Sequence, residues 1–327
     1  MKKHILLIRF SALGDVLMTI PVVYALAHQY PSARITVAGP PLVQGLFERL
    51  PENVDFEPIR VRDYSGLRGI YRLYRRLANL QPTHICDLHD VLRTKVVRLF
   101  FSLFSRLPIT HIRKRRRDQR RFLSRQPKTQ QPTVFAKYAD ALRRLGFPVD
   151  STLFVPFPVV AHRGGIGIAP FAAHKGKVYP LKKMEEVVRL LAERGQRVYI
   201  FGAGEEEKAI AENWTRYDGV KSMIGQLGGL AQELDFIAQL DVMLTMDSAN
   251  MHLAALTSTP VVSIWGATHP YGGFMGWGQD INNVLQREDL PCRPCSIYGN
   301  KPCTQGDYPC LNGISPESVV ERVMLFC

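Results

Sequence analysis

The chain has 327 residues, 46% of them hydrophobic, and a formal net charge of +13. That length buries a sizeable core and most naturally makes two domains, and the composition is that of an ordinary globular protein, not of a disordered or fibrous one. The excess of cations points to an anionic partner, whether a phosphorylated small molecule, an acidic membrane surface or nucleic acid.

The apolar run that begins at His4 ends in the small-residue turn Ser11-Ala12-Leu13-Gly14, and helical periodicity follows through Val22, Val23 and Leu26. This is a strand, a turn and a helix, with Pro21 requiring a kink or a fresh helix start near Thr19. Lys2, Lys3 and this apolar run imitate a signal peptide, but Arg9 and Asp15 interrupt it. No uninterrupted apolar stretch approaches the ~20 residues of a membrane span, so the chain is expected in the cytoplasm. In an open parallel sheet the turn lies at the carboxyl end of the strand, where ligands bind. Asp15 there is either a helix cap or a general base for an attacking hydroxyl.

Further strands are expected at 34–38, 54–56 and 84–88, with helices at 66–80 and 91–105 between and after them. Such alternation implies parallel βαβ units. Asp87, His89 and Asp90 close the fourth strand on the same edge as Asp15. The helix at 91–105 carries Arg93, Lys95 and Arg98 beside an apolar side. Between Arg113 and Arg121 seven of nine residues are basic, a solvated loop or an anion-attracting patch suited to an acidic membrane or a phosphorylated headgroup. Nucleic acid is disfavoured, because no zinc-finger spacing or RNP-like aromatic motif accompanies the charge.

A helix at 133–145 stops at Gly146, and the poorly periodic stretch bracketed by Pro156, Pro158 and Gly164-Gly165 marks a domain boundary. The βα alternation then restarts, with strands at 165–169, 197–201, 242–246 and 261–265 and helices at 181–194, 205–214, 230–239 and 249–257. The expected fold is α/β, two doubly wound halves facing one another across a cleft. Glu207 stands where the dinucleotide fingerprint needs its third glycine, and the Walker pattern is missing, so nicotinamide and P-loop chemistry are disfavoured.

Asp247-Ser248-Ala249-Asn250-Met251-His252 lies at a strand-to-helix junction, where free amides can bind phosphate and Ser248 and His252 share one helical face. A capped helix with a core histidine is the competing reading. His174, Lys175 and Lys177 occupy the loop after the 165–169 strand, and Glu205-Glu206-Glu207 opens a helix where it can meet ribose hydroxyls or merely stabilise the helix start. Cys292, Cys295, Cys303 and Cys310 form C-x2-C-x7-C-x6-C in a loop-rich segment, a candidate structural zinc site or a set of reduced thiols.

Taken together, Arg9-Phe10-Ser11-Ala12-Leu13-Gly14-Asp15-Val16 with Pro21, Lys177-Val178-Tyr179-Pro180, the 247–252 motif, Thr259-Pro260-Val261-Val262 and Gly266 resemble glycosyltransferase family 9, the lipopolysaccharide heptosyltransferases and their relatives. Weaker echoes stand at Asp87-Leu88-His89 and near Tyr138. The resemblance runs from end to end. It implies a GT-B fold, with an acceptor domain at 1–158, a nucleotide-sugar domain at 159–315 including a Cys-rich loop at 290–312, and a last helix at 316–327 that packs back on the first domain.

It further implies an inverting transfer without a catalytic metal or other cofactor, from a nucleotide-sugar donor such as ADP-heptose to a phosphorylated glycolipid at the cytoplasmic face of the inner membrane. On that model Asp15 is the base, with Ser11 beside it. Lys177, His174, and the amides of Ser248 and Ala249 hold the diphosphate, Asp247 and His252 meet sugar or phosphate, and Glu205 or Glu206 meets the ribose. Arg93, Arg113, Arg115 and Arg116 face the acceptor. The chain departs from the family at Ala172 and Ala173, where many relatives carry hydroxyl residues, and at Ala249, where glycine is common. The alternatives are a family relative using another nucleotide sugar or another acceptor and, from another functional class, a non-catalytic GT-B binding protein docking on an acidic membrane.

Overall fold

A continuous apolar strand such as His4–Ile8 suits a position covered on both faces, which is what parallel sheets with flanking helices provide. In the computed structural model, which describes residues 3–124, 127–158 and 162–327, all five residues of this strand are buried. In chain order the first half comprises β1 (His4–Ile8), α1 (Leu13–Leu17), α2 (Ile20–Gln29), β2 (Arg34–Gly39), α3 (Gln44–Phe47) and β3 (Val54–Pro58). It continues through α4 (Gly66–Ala78), β4 (His84–Asp87), α5 (Leu92–Phe104), β5 (Ile109–His111), α6 (Arg116–Ser124) and α7 (Val134–Arg144). The second half comprises β6 (Ile166–Ala169), α8 (Leu181–Glu193), β7 (Val198–Ile200), α9 (Glu205–Trp214), β8 (Val220–Ser222) and α10 (Leu230–Ile237). After these come β9 (Val242–Met246), α11 (Ala249–Ala255), β10 (Val261–Trp265), β11 (Val284–Gln286), α12 (Pro309–Asn312) and α13 (Pro316–Val323).

Two units result, one of Met1–Lys114 with Val134–Val155 and one of Arg115–Thr133 with Pro156–Cys327. The expected boundary after 158 abuts residues 159–161, which lie outside the described residues.

The first unit holds a parallel five-stranded sheet in the order β3-β2-β1-β4-β5. Its order reverses between β1 and β4, whose register pairs Ile8 with Asp87. On one face Leu6, Ile8, Leu73, Leu77, Ile85, Val97 and Phe101 make a core between the sheet and α4 and α5. The second unit holds a parallel six-stranded sheet, β11-β10-β9-β6-β7-β8, whose order reverses between β6 and β9. A core cluster joins these strands to α8 and α13 through Val187, Val188, Leu191, Val319, Val320 and Val323. Tyr179 donates a buried hydrogen bond to the carbonyl of Ile314 at 3.0 Å, tying the start of α8 to the segment leading into α13. Fully burying each such aliphatic side chain contributes roughly 1.5–3 kcal/mol.

Three edge strands, β5, β8 and β11, escape the sequence reading. Each is three residues long and lies at an outer position of its sheet, where few residues need be apolar. The helix near Pro21 resolves into α1 and α2, with Pro21 in the first turn of α2, where its missing N–H costs nothing. The basic run, read as a loop or patch, contains α6, which belongs to the second unit and buries Phe122. Lys114, which precedes it, belongs to the first.

Candidate functional site

In a doubly wound sheet the loops on either side of the order reversal leave a crevice at the carboxyl ends of the strands. In the first unit those loops follow β1 and β4. Arg9, 7% exposed, donates from Nη1 to the Leu88 carbonyl at 2.6 Å, so the chain after β1 is bound to the chain after β4. Its Nη2 forms an ion pair with Asp15 Oδ2. The Asp15 side chain keeps about a quarter of its surface exposed, and its backbone carbonyl accepts from the buried Tyr138 hydroxyl at 3.0 Å. Ser11 Oγ lies 3.2 Å from His89 Nε2.

Burial, with the charges of Arg9, Lys114 and Arg93 adding to it, draws the His89 imidazole down to about 3. It is therefore neutral near pH 7 and able to exchange a hydrogen bond with Ser11 without adding charge. Beneath them the fully buried Asp87 accepts from the amides of His89 and Asp90, both at 2.9 Å, and forms an ion pair with Arg98 at 3.1 Å. Arg98 also binds Asp90 at 2.8 Å, and Lys114 donates to the Asp90 carbonyl at 2.9 Å.

In the second unit the corresponding loops follow β6 and β9. Lys177 Nζ is 2.8 Å from Asp247 Oδ2, and the aspartate side chain is 4% exposed. Ser248 is the N-cap of α11, with extended backbone, and its Oγ shares a hydrogen bond with Thr245 Oγ1 at 3.1 Å. Asn250 Nδ2 donates to Glu233 Oε1 at 3.0 Å. Burial raises the Glu233 carboxyl to about 7 despite that bond. His252 is buried one turn further along α11. Because α11 is only seven residues long, its dipole is small. What the junction offers an anion is therefore its amide donors and Lys177.

The Cys-rich segment supports the lysine. Ala267 donates to the Gly176 carbonyl at 2.8 Å, and the amides of Cys295 and Ser296 donate to the Ala267 carbonyl at 3.1 Å. Ser296 Oγ accepts from the Gly299 amide at 2.9 Å. Gly299 has φ of +74°, and a Cβ there would lie 2.6 Å from Lys177 Cγ, so only glycine lets the lysine stem pass. Arg293, 4% exposed, anchors the segment by donating to the carbonyls of Gly266 and Thr268 at 2.6 and 3.0 Å.

The candidate zinc site at Cys292, Cys295, Cys303 and Cys310 is not supported. Among the described residues no group of three or more His, Cys, Asp or Glu side chains is arranged to hold a metal ion, and all four are free thiols. Burial pushes Cys310 up to about 11 and raises Cys295, so both are thiols near neutral pH.

The candidate residues thus fall into two groups. Asp15, Ser11 and Arg93 collect at the first reversal, where Arg93 is close enough to His89 to depress its protonation. Lys177, Asp247, Ser248, Ala249 and His252 collect at the second. His174 is exposed at the start of the short turn carrying Lys177. Glu205 and Glu206 are exposed at the start of α9, whereas Glu207 folds back to accept from the Ala203 amide at 2.8 Å. Arg113 is exposed on the first unit, while Arg115 and Arg116 belong to the second, so the basic run is divided between units. Arg98, read from sequence as part of a cationic helix edge, is instead held by Asp87 and Asp90, and Arg9, Glu233 and Gly299 were given no part in the site. Of these only Arg9 carried a signal, as a cation ending an otherwise apolar strand run.

Residues 89–301 match the family model described as glycosyltransferase family 9 (heptosyltransferase). Lipooligosaccharide heptosyltransferase 2 of Campylobacter jejuni is 24% identical over 326 residues, spanning 95% of this chain and 94% of that protein. Among solved structures, a glycosyl transferase family 9 protein from Veillonella parvula superposes with a TM-score of 0.74 at 17% identity, covering 99% and 97% of the two chains. Escherichia coli ADP-heptose lipopolysaccharide heptosyltransferase II superposes with a TM-score of 0.69 at 19% identity, covering 99% and 98%. The fold is that of the GT-B heptosyltransferase structures.

Two outcomes follow from this geometry. Replacing Arg98 by Met strands the buried Asp87 charge and should lower stability by about 3 kcal/mol, read as a shifted urea midpoint, with the Asp87→Asn, Arg98→Met double variant recovering part of the loss. For Glu233 the folded state holds its proton more tightly than the unfolded chain does. Its contribution to stability is therefore full below about pH 4.5 and lost as pH rises through about 7. Glu233→Gln keeps the acceptor for Asn250 and should remove that loss, so the melting temperature of the variant minus that of the parent should rise from pH 4.5 to 7.5.

Proposed function

The chain belongs to glycosyltransferase family 9 (heptosyltransferase), and from that membership we propose that it moves a heptose from an ADP-linked donor onto a hydroxyl of a phosphorylated lipopolysaccharide-core glycolipid, with inversion at the anomeric carbon. Relatives named for lipooligosaccharide and lipopolysaccharide heptosyl transfer support the substrate class. The observation that carries the reading is the Asp15 carboxylate at the sheet reversal, one oxygen on Arg9 and the side chain partly open to solvent.

Asp15 takes the proton of the acceptor hydroxyl as its oxygen attacks the anomeric carbon, and the bond from that carbon to the diphosphate oxygen breaks with its electron pair leaving on the phosphate. Arg9 fixes the position of the carboxylate from a buried site, so its orientation is set before substrate arrives. Ser11, with neutral His89 behind it, supplies a hydroxyl contact to the acceptor.

Lys177 and the amides of Ser248 and Ala249 take up the charge of the departing diphosphate. With no donor present, Asp247 balances Lys177. On donor entry, the diphosphate competes for the ammonium and Asp247 is released toward the sugar hydroxyls. His174 and His252 flank the phosphates, and Glu205 or Glu206 meets the ribose. Arg93 and Arg113 on the first unit and Arg115 and Arg116 on the second attract the acceptor phosphates. No helix among the described residues is long and apolar enough to cross a membrane, and we read the association with the cytoplasmic membrane face as peripheral.

Asp15→Asn should lower turnover at least about a hundredfold, the ordinary contribution of a general base, while calorimetric ADP affinity stays within a few fold. Lys177→Met should weaken ADP binding about tenfold or more. Retained turnover in Asp15→Asn would sink the assignment of the base.

A further inference from the structure

We propose that the paired outer faces of α4 and α5 form a docking surface for an anionic lipid bilayer. The two helices pack together through an aromatic ladder. Tyr71 and Phe100 are edge to face at 5.5 Å, Tyr74 and Phe104 lie 5.8 Å apart, and Phe100 stacks on Phe104 at 6.3 Å. The ladder does not close over its own apolar surface. Leu67 and Leu92 are 73% and 79% exposed, and Leu99, Leu103 and Phe104 are each more than half exposed.

With Tyr71 these make six of the thirteen large hydrophobic side chains exposed among the described residues, gathered on two adjacent helices. Scattered exposed leucines are ordinary, but a contiguous apolar face marks an interaction site.

Charge decides which partner the face suits. Neither helix contains a carboxylate. Arg76 is spent on Glu57 and Arg98 on Asp87 and Asp90, which leaves Arg68, Arg75 and Lys95 in solvent along the two helices, beside an exposed Arg72 that donates only to the Asp63 carbonyl. Apolar residues rimmed by unopposed cations match the acyl boundary and the anionic headgroups of a bilayer. A second copy of this cationic face would be repelled by it. This surface deepens the proposed membrane association and moves its centre from the 113–121 run to α4 and α5. It would bring the unit that holds Asp15 to the membrane.

The test uses the full chain with vesicles of phosphatidylcholine alone or mixed with phosphatidylglycerol, and no donor or acceptor, so a failed transferase assay leaves its result standing. Co-sedimentation should occur with the mixed vesicles, weaken with salt, and fall about fivefold for each arginine removed in Arg68→Gln and Arg72→Gln. Leu99→Ser with Leu103→Ser, both at exposed positions, should abolish it while the circular dichroism spectrum and melting temperature hold. No pelleting with anionic vesicles, or pelleting unchanged by both sets of variants, would overturn the proposal. So would a parent that sediments as a dimer and becomes monomeric in Leu99→Ser with Leu103→Ser, since that result assigns the face to a second copy of the chain.

Discussion

A carboxylate taken out of water must be paired, because the cost of leaving it bare exceeds almost any packing gain. Three ion pairs organise this protein, two of them around a buried carboxylate and one around a carboxylate partly open to solvent. Arg98 meets Asp87, Arg9 meets Asp15, and Lys177 meets Asp247. Each pair lies where the strand order of its sheet reverses. The first ties α5 to the end of β4, the second orders the turn after β1, whose Arg9 also reaches the Leu88 carbonyl beyond β4, and the third joins the loop after β6 to the end of β9. In the proposed mechanism the second and third pairs are also the charges that the acceptor hydroxyl and the diphosphate meet, while Asp87 stays buried. Pairing within the protein therefore prepares each site, at the expense of a contact that ligand must displace.

Preparation of the second site extends well beyond its charged residues. Lys177 is aimed by a turn whose Gly176 carbonyl is held by Ala267, and its stem runs over Gly299. Gly299 is itself held by Ser296, and the segment is held by Arg293. The Cys-rich loop thus acts as a buttress made of hydrogen bonds, with thiols that burial keeps protonated. Catalytic geometry needs this kind of support, since a lysine free to swing gives up most of what its charge could contribute.

The +13 charge has several uses. Some cations are consumed inside the fold, as Arg9, Arg98 and Arg293 are. Others, on α4 and α5, lie in solvent beside exposed leucines. The basic run at 113–121 is different again: Arg113 and Lys114 belong to the first unit, and the rest lies on the second, mostly in α6, where only Phe122 is buried. A net charge describes none of these roles by itself, because the role depends on whether each guanidinium finds a carbonyl, a carboxylate or water.

Local pattern alone settled the class of fold and the main elements. Apolar runs of strand length alternating with helical periodicity require parallel βα units, and the residues that follow such strands must gather at one sheet edge. Hence Asp15, Lys177 and Asp247 could be singled out from the chain. The short strands β5, β8 and β11 were not legible, since an edge strand of three residues leaves almost no periodic trace. Nor was α6, whose string of arginines reads as solvated loop until Phe122 finds a core. Strand order, the pairing of Arg98 with Asp87 and the passage of Lys177 over Gly299 are all contacts between residues distant in sequence. Spacing along a chain carries no record of them; only the packing of one element against another decided them.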